Sequence, residues 1–327
     1  MINDIMLYIV VSIFTLIIIS KISYKLNLID LPNERKIHFI PTAYTGGLAL
    51  SIIYIFSIFL FEIHSQTLNL ILSISFLIGI VGLIDDKYNL NVGGKLSLQI
   101  LPIIYLIVQQ DLNLIQLGEY DYFKLELNSF SIPFTIIAIL FLINSFNYFD
   151  GIDGSLSFST ISTLCILFYI SNDKEIELFL IIISIPLISF LLFNFSIFKL
   201  KKLFLGDGGS LLLGFIIAFT LIYLANQKIV HPILLAFSVS IFVYEFLSIN
   251  FIRLKNNQHL FKGGQDHLHH LLLKKTKSNL KTNFIIFFLN IFFFIFCFIF
   301  FSLIISNLLL ILFIILLFIF IKLRKSI

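Results

Sequence analysis

The chain of 327 residues has no tryptophan, only two cysteines and few charged side chains. Charged residues make up 12% and hydrophobic residues 59% of the sequence, and the mean hydropathy is +1.06. About a quarter of the residues of a soluble globular domain are charged. The composition therefore excludes that class and predicts a polytopic membrane protein, whose interfacial aromatic residues must be tyrosines because tryptophan is lacking.

Other absences exclude further classes. Cys165 and Cys297 lie inside apolar runs, so neither a disulfide framework nor a thiolate metal site is indicated. The N-terminal apolar run has no basic residue before it and no small-residue cleavage site after it, which predicts a retained helix and not a signal peptide. With no repeat and no long polar segment, residues 1–327 are predicted to form a single membrane-embedded domain.

Long apolar runs dominate what is present. Most of them approach the roughly 17 to 25 residues that a spanning helix needs. They predict an all-α protein with about eleven transmembrane helices, although only Ser306 and Asn307 separate the last two runs and leave a re-entrant hairpin open there. The runs fall at residues 5–23, 46–61, 68–84, 96–110, 132–148, 155–171, 176–196, 209–225, 232–251, 284–305 and 307–321.

The distribution of basic residues predicts the orientation. With the N-terminus outside and the C-terminus in the cytoplasm, 19 of the 22 lysine and arginine residues lie inside, and only Lys124, Lys174 and Lys228 lie outside. This asymmetry follows the positive-inside rule. The outer segments are predicted to be short polar connectors, and every motif of chemical interest falls on the cytoplasmic side.

Five aspartates at four helix ends are the main candidates for chemistry. They are Asp85, Asp86, Asp150, Asp153 and Asp207. Carboxylate oxygens suit Mg²⁺, which completes its shell with water and substrate phosphates. The glycines around Asp207 allow close approach of a phosphate, and a helix predicted to begin at Ser210 would favour an anion. The alternatives are a hydrated helix cap at Asp85 and Asp86 and a tight turn at Asp207.

Amides and imidazoles accompany these acids. Asn144 and Asn147 are predicted to share a helix face, where amides suit the edge of a base or a sugar. A calcium loop at Asp150 and Asp153 is disfavoured because the run is too short for an EF-hand. The histidines of the Asp266-His-Leu-His-His270 run lack the cysteine partners and spacing of a zinc site, so we expect hydrogen bonds and charge for a pyrophosphate, with Asp266 setting one tautomer.

Together these motifs resemble the polyprenyl-phosphate N-acetylhexosamine-1-phosphate transferases, the WecA and TagO branch of the MraY superfamily in glycosyltransferase family 4. The resemblance runs from Asp30 to His270 through five ordered motifs. The first motif is carried by Arg35, Lys36, His38, Pro41, Gly46 and Gly47. Within it Ala43 stands where a second proline is expected, and farther along the chain Asn89 stands where a third aspartate is common. Glu245 is aligned with an aspartate that the family often has in that helix.

The resemblance implies roles for individual residues. The catalytic residues would be Asp85, Asp86, Asp150 and Asp153, and the Mg²⁺ ligands Asp207 and Asp86, with Mn²⁺ as the alternative ion. The nucleotide sugar would be bound by Asn147, Asn144, Asp153, Asn194, Phe204, His267, His269 and His270. The lipid phosphate or the pyrophosphate would be bound by Arg35, Lys36, His38 and Lys95.

The implied reaction is attack of undecaprenyl phosphate on the β-phosphorus of a UDP-N-acetylhexosamine, by default UDP-N-acetylglucosamine, with release of UMP. The family assigns Asp85 to deprotonating the lipid phosphate. An ordinary aspartate has a pKa near 3.9 and is a poor base for a phosphate of second pKa about 6. Asp85 would act as a base only if Asp86 or burial raised its pKa. Otherwise it orients the acceptor or the metal, and a covalent aspartyl phosphate is a third hypothesis.

The expected setting is the bacterial inner membrane, with the active site facing the cytoplasm, membrane lipids as neighbours, no nucleic acid and a homodimer left open. The product would initiate a cell-envelope polysaccharide such as O-antigen or teichoic acid. Two alternatives remain: an MraY-type phospho-N-acetylmuramoyl-pentapeptide transferase, and a polytopic transporter. Transporter sites lie near the membrane midplane and the halves often repeat, whereas here the acids cluster at one face.

Overall fold

The structure is a computed structural model that describes residues 2–32, 40–259, 264, 266–303 and 306–326. Thirteen α-helices and four short strands lie in these residues. The first half holds α1 (Ile2–Lys25), β1 (Ile29–Asp30), β2 (Thr42–Ala43), α2 (Gly46–Leu60), α3 (Gln66–Tyr88), α4 (Val92–Gln110), β3 (Gln116–Glu119), β4 (Lys124–Glu126) and α5 (Ser131–Asn147). The second half holds α6 (Ser155–Ser171), α7 (Lys174–Asn194), α8 (Gly206–Asn226), α9 (Pro232–Ser238), α10 (Ser240–Lys255), α11 (Leu268–Thr276), α12 (Asn279–Leu303) and α13 (Ser306–Ser326).

Every predicted apolar run overlaps a helix. Among the described residues, eight helical stretches of 19 to 24 residues are long and apolar enough to cross a membrane; they lie in α1, α3, α4, α5 with the 3₁₀ turn before it, α7, α8, α12 and α13. The bent pair α9 and α10 makes a ninth candidate, and α2 and α6 are shorter apolar helices. The prediction of an all-α polytopic membrane protein is confirmed. Because α12 and α13 each reach spanning length, the re-entrant hairpin is not needed, and the orientation stays a prediction.

The chain forms two compact units, each built from two separate stretches. The first unit comprises Met1–Leu106 and Asp173–Ile217, and the second comprises Ile107–Asn172 and Ala218–Ile327. The chain passes from one unit to the other inside α4, after Leu106, and inside α8, after Ile217. A functional group in either unit is therefore placed by segments far apart in sequence.

In the first unit, α2 packs against α1, α3 and α7. Pro186 lies inside α7 and has no N–H for the carbonyl of Ile182, one turn earlier. The buried hydroxyl of Tyr8 on α1 donates to that carbonyl at 3.2 Å, and Tyr54 on α2 donates to the next one, Ile183, at 3.0 Å. Tyrosines of two neighbouring helices thus satisfy backbone groups that have no water partner in an apolar environment.

In the second unit, α9 and α10 meet at a bend of 70°. Such a break frees backbone groups that must be satisfied inside a membrane protein. Asn290 of α12 does this: its amide nitrogen donates to the Ser238 carbonyl at 3.1 Å, and its carbonyl oxygen accepts from the Ile241 N–H at 3.3 Å. Helix α12 packs on α6 and α9, so the polar side chain is buried at the centre of this contact.

The segment after α4 differs from the predicted polar connector. Strands β3 and β4 form an antiparallel hairpin in which Glu119 pairs with Lys124, and their side chains form an exposed ion pair at 2.8 Å. The ring of His231, which caps α9, lies 3.0 Å from the Glu119 carbonyl. The prediction of a simple connector was wrong here because a short polar hairpin has no apolar alternation to reveal it.

Candidate active site

The aspartate pair of the first unit lies inside a helix and not beyond it. Helix α3 continues to Tyr88, and Asn89 ends it in the left-handed conformation with φ of 50°. The predicted end at residue 84 was therefore one turn short. Asp85 is 8% exposed, and its Oδ1 accepts a hydrogen bond from the Leu90 N–H at 2.9 Å. Asp86, the next residue, is only half-buried.

Asp207 lies in the first turn of α8, because the helix begins at Gly206 and not at the predicted Ser210. Gly206 adopts φ of +71°, a conformation that glycine accepts at little cost. The residues just before Gly206 are fixed by Ala43 of β2 and Gly46 of α2. The Phe204 N–H donates to the Ala43 carbonyl at 2.8 Å, and the Gly46 N–H donates to the Phe204 carbonyl at 2.9 Å. These bonds set the position at which α8 starts.

Lys95 joins the two acidic segments. Its Nζ lies 2.6 Å from Asp85 Oδ2 and 2.6 Å from Asp207 Oδ2. Asp86 reaches the same place, because its Oδ2 accepts from the Gly208 N–H at 3.4 Å. Three carboxylates and one ammonium group of the described residues thus meet within the first unit.

This cluster fits a magnesium site. No group of three or more histidine, cysteine or acidic side chains forms a closed metal site among the residues that the structure describes. Mg²⁺ does not need one, since it usually takes one or two carboxylates with water and substrate phosphates. The Lys95 ammonium, held equally by Asp85 and Asp207, shows that the place between the carboxylates favours a cation.

The second unit brings together two other predicted motifs. The turn between α5 and α6 carries Asp150 and Asp153 and ends at Gly154, with φ of 79°. Two amides at the start of α12 hold this turn: Asn283 donates to the Asp153 carbonyl at 2.7 Å, and Asn279 donates to Asp153 Oδ2 at 3.2 Å. Asp150 is exposed.

The amides that precede this turn lie in the last turn of α5, as predicted. Asn144 is half-buried and donates to the Leu140 carbonyl at 2.7 Å. Asn147 ends the helix, and its carbonyl accepts from the Asp150 N–H at 3.3 Å. The two asparagines therefore share one helix face beside the acidic turn.

The histidine run packs on the same turn. The rings of His267 and Tyr148 meet edge to face at 5.0 Å, and His269 is fully buried. A methyl group at Gly151 would overlap the ring nitrogen Nε2 of His269, so only glycine lets the ring lie against this backbone. His267, His269 and the half-buried His270 form one cluster of rings.

Two histidines of this cluster, His269 and His270, are neutral in the unliganded protein. Burial, together with the neighbouring histidines, holds the pKa of His269 well below its usual range. Burial and the nearby His267 and Lys274 lower the pKa of His270 to about 4. At neutral pH the rings of His269 and His270 can donate hydrogen bonds to an anion, but they carry no charge before a ligand binds.

Asp266, which was predicted to set the tautomer of one imidazole, has a basic partner in the structure. Asp266 is bound by Arg253 through two hydrogen bonds, Nε to Oδ2 at 3.2 Å and Nη2 to Oδ1 at 3.0 Å. Although burial alone would raise the pKa of Asp266, the Arg253 guanidinium lowers it below its ordinary value. The carboxylate facing an imidazole nitrogen is Glu245, whose Oε1 lies 3.6 Å from His267 Nδ1.

The neutral histidines make stability depend on pH. The pKa of His270 is about 4 in the folded protein and about 6.5 in an unfolded chain. Between these values the unfolded state binds a proton that the folded state does not, so stability falls as the pH falls through this window. We expect the Tm in detergent to drop between pH 7.5 and pH 5, and His270→Gln to lessen the drop.

One proton changes the free energy of unfolding by at most about 1.4 kcal/mol per pH unit. Water at the partly exposed His270 ring lowers this value. The exposed His64 supplies the control variant His64→Gln, which should leave the dependence unchanged. A profile that is the same in wild type and His270→Gln would contradict the assignment.

Other predicted residues have different surroundings. The amide of Asn194 is buried and donates to the Leu203 carbonyl at 3.0 Å, so here it holds the loop before α8. Phe204 is half-buried under the Lys202 ammonium, 5.3 Å from its ring centre. Roles for both in nucleotide binding stay predictions. Three basic residues of the first motif lie outside the described residues: Arg35, Lys36 and His38.

Sequence reasoning missed the residues that hold the second unit's motifs, namely Asn279, Asn283 and Arg324. Asn283 and Arg324 are polar residues close to the ends of apolar runs, whereas Asn279 lies in the polar stretch before α12. Polar groups at such positions are costly unless they have partners. That cost was the available signal, although it does not say which partner each residue takes.

Comparison with known proteins agrees with these motifs. The family model described as glycosyl transferase family 4 matches residues 67–225. A Bacillus subtilis protein named "Probable undecaprenyl-phosphate N-acetylglucosaminyl 1-phosphate transferase" is 30% identical over 301 residues, which cover 86% of this chain and 80% of the relative. A Yersinia pestis protein named "Undecaprenyl-phosphate alpha-N-acetylglucosaminyl 1-phosphate transferase" is 27% identical over 79% of this chain and 73% of its own length.

The same name is carried by a protein of Escherichia coli (strain K12), which is 24% identical over 78% of this chain and 71% of its own length. The matches to relatives extend well beyond residues 67–225. They confirm the family that the motifs predicted and favour a transferase over the transporter alternative. The chain belongs to glycosyl transferase family 4.

Proposed function

We propose that this protein transfers N-acetylglucosamine 1-phosphate from UDP-N-acetylglucosamine to undecaprenyl phosphate. A phosphate oxygen of the lipid attacks the β-phosphorus, the bond from that phosphorus to the bridging oxygen breaks, and UMP leaves with that oxygen. The product is a lipid-linked sugar pyrophosphate. The observation that carries the proposal is the cluster of Asp85, Asp86, Lys95 and Asp207, which offers both carboxylates for a metal and a cation for a phosphate.

Each residue of this cluster has a role in positioning charge. Asp86 and Asp207 would hold Mg²⁺, which neutralises phosphate oxygens when bound. Lys95, now shared between two carboxylates, is placed to pair with a phosphate oxygen that enters beside it. Phosphoryl transfer depends mainly on such positioning and electrostatic stabilisation.

The second unit would recognise the nucleotide sugar. Asn144, Asn147 and Asp153 lie at the end of α5 and in the turn that follows, where amide and carboxylate groups can hydrogen-bond a base or a sugar. His269 and His270, neutral in the unliganded protein, are donors suited to phosphate oxygens. An approaching anion would favour their protonated forms.

The geometry favours an orienting role for Asp85 over a role as general base. One of its oxygens accepts from the Leu90 N–H and the other pairs with Lys95, so both oxygens are already engaged. We expect Asp85→Asn to lower kcat by about 10²-fold, the usual loss for a misplaced reacting group, and by the same factor at pH 6 and pH 9. Recovery at pH 9 would contradict the orienting role and support the base.

The proposal places the protein in the bacterial inner membrane with the cluster facing the cytoplasm. The excess of basic residues on the predicted inner segments supports this orientation. A homodimer stays a prediction that native mass in detergent would test. Initiation of a cell-envelope polysaccharide such as O-antigen or teichoic acid stays a prediction. The names of the relatives favour N-acetylglucosamine over the muramoyl-pentapeptide of the MraY-type alternative.

The experiment is UMP release by purified protein in detergent, with and without undecaprenyl phosphate and Mg²⁺. We expect release from UDP-N-acetylglucosamine that requires both. Release with another UDP-acetamido sugar alone would change the donor and keep the reaction. No release from any donor of a panel, by a protein with a cooperative melting transition, would contradict the proposal.

A further inference from the structure

A buried arginine near the C-terminus contacts the histidine segment. Arg324 lies in the last turn of α13 and is only 5% exposed. Its Nη1 donates to Ser248 Oγ at 3.0 Å, its Nη2 lies 3.5 Å from Glu245 Oε1, and Nη2 also donates to the Asp266 backbone carbonyl. The guanidinium thus links α10 to the residue that precedes the histidines.

Glu245 supplies the second contact. It is fully buried on α10, and its Oε1 accepts from the Leu268 N–H at 2.9 Å. Leu268 is the first residue of α11, and the His267 side chain before it makes no capping bond. A carboxylate therefore satisfies an N–H that the helix itself leaves free and complements the positive end of the helix dipole.

Arg253 supplies the third contact, through its paired hydrogen bonds to the Asp266 side chain. Asp266 is thus held at its side chain by α10 and at its carbonyl by α13, while Leu268 is held at its N–H by α10. His267 lies between these fixed points, and His269 and His270 follow in the same turn. Two helices therefore fix both the backbone and the direction of the histidine segment.

Burying charged side chains costs hydration free energy, which can exceed the gain from their attraction. Replacing a buried ion pair by apolar side chains of similar size is often neutral or stabilising, whereas removal of one partner leaves a buried charge unpaired. We infer that Arg324 and Glu245 are positioning residues, which hold the backbone of Asp266–His270 so that the histidines meet the substrate in their reactive orientation. This inference rests on the proposed function and adds α13, which lies outside residues 67–225, to the machinery of the reaction.

The test separates positioning from stability with two kinds of variant. Arg324→Met with Glu245→Met removes both charges and leaves no buried charge unpaired, so we expect its Tm to lie above that of Arg324→Met alone. We expect kcat to fall at least tenfold, with KM for undecaprenyl phosphate unchanged. Arg324→Met alone leaves Glu245 unpaired and should lower the Tm. Arg324→Lys keeps the charge but not the planar fork and should recover part of kcat.

Amide hydrogen exchange supplies a readout that does not need activity. Exchange of residues 266–270 should be faster in the double variant than in the wild type, and unchanged in the control Lys325→Met, whose side chain is exposed on the same turn of α13. A stable double variant with wild-type kcat or wild-type exchange would overturn the inference. If the wild type itself released no UMP, the proposed function would fail, while exchange would still decide whether these residues hold the segment.

Discussion

Asp207→Asn is expected to lower kcat by about 10³-fold while the protein stays folded. The substitution keeps the size of the side chain but removes the charge that pairs with Lys95 at 2.6 Å and that would bind Mg²⁺. Loss of one preorganised electrostatic contact in an active site typically costs 10²- to 10³-fold, and loss of a metal ligand adds to that. UMP release under saturating lipid and donor measures the effect.

Its control is Asp111→Asn. Asp111 is exposed and has φ of 48°, a conformation that asparagine tolerates, so activity and Tm should both match the wild type. We expect the Tm of Asp207→Asn to lie within a few degrees of that of the wild type. A folded Asp207→Asn enzyme with more than a tenth of wild-type kcat would contradict the central role of this carboxylate.

Gly82→Ala is the second substitution for which we expect a large effect. Gly82 lies on α3, one turn before Asp85, and a methyl group there would overlap the backbone of Asp207 and Gly208 at the start of α8. Backbone cannot move aside as a flexible side chain can. The two helices must separate by about 1 Å or more, and displacements of that size at reacting groups cost about 10²-fold in rate. We expect at least that loss of kcat and a lower Tm.

Gly79→Ala is the matched control on the same helix. A methyl group at Gly79 would meet Leu212 Cδ1 at 3.4 Å, which is an ordinary van der Waals contact, and alanine also favours the helix over glycine by about 1 kcal/mol. Activity should therefore stay near that of the wild type. Equal losses in both variants would mean that any side chain on this face of α3 is harmful, and the specific contact with Asp207 would lose its support.

The sequence predicted the helices well because a spanning helix needs a long apolar run, and few other structures produce one. It predicted helix ends less well. Asp85 and Asp86 extend α3 past its apolar run, and the glycines around Asp207 looked like a turn although they form the start of α8. The end of α3 is stabilised locally, because the Leu90 N–H donates to Asp85, whereas the start of α8 is set by a tertiary contact, the Gly46 N–H donating to Phe204.

The candidate site was predicted in its residue types and only partly in its partners. The resemblance identified Asp85, Asp86 and Asp207, and the structure brings them together with Lys95. It could not identify the partners of the histidine run, because contacts made 13 and 58 residues away, such as Arg253 and Arg324 with Asp266, leave no local pattern. The role of Asp266 toward an imidazole therefore stays a prediction.

The most direct test of the central claim follows the β-phosphorus of the donor. UDP-N-acetylglucosamine labelled with ³²P at that atom is incubated with the purified protein, undecaprenyl phosphate and Mg²⁺, and the aqueous and lipid phases are separated. Transfer of sugar 1-phosphate predicts label in the lipid and unlabelled UMP in the water. Labelled UDP in the water with an unlabelled glycolipid would mean that the sugar alone is transferred, and would contradict the account.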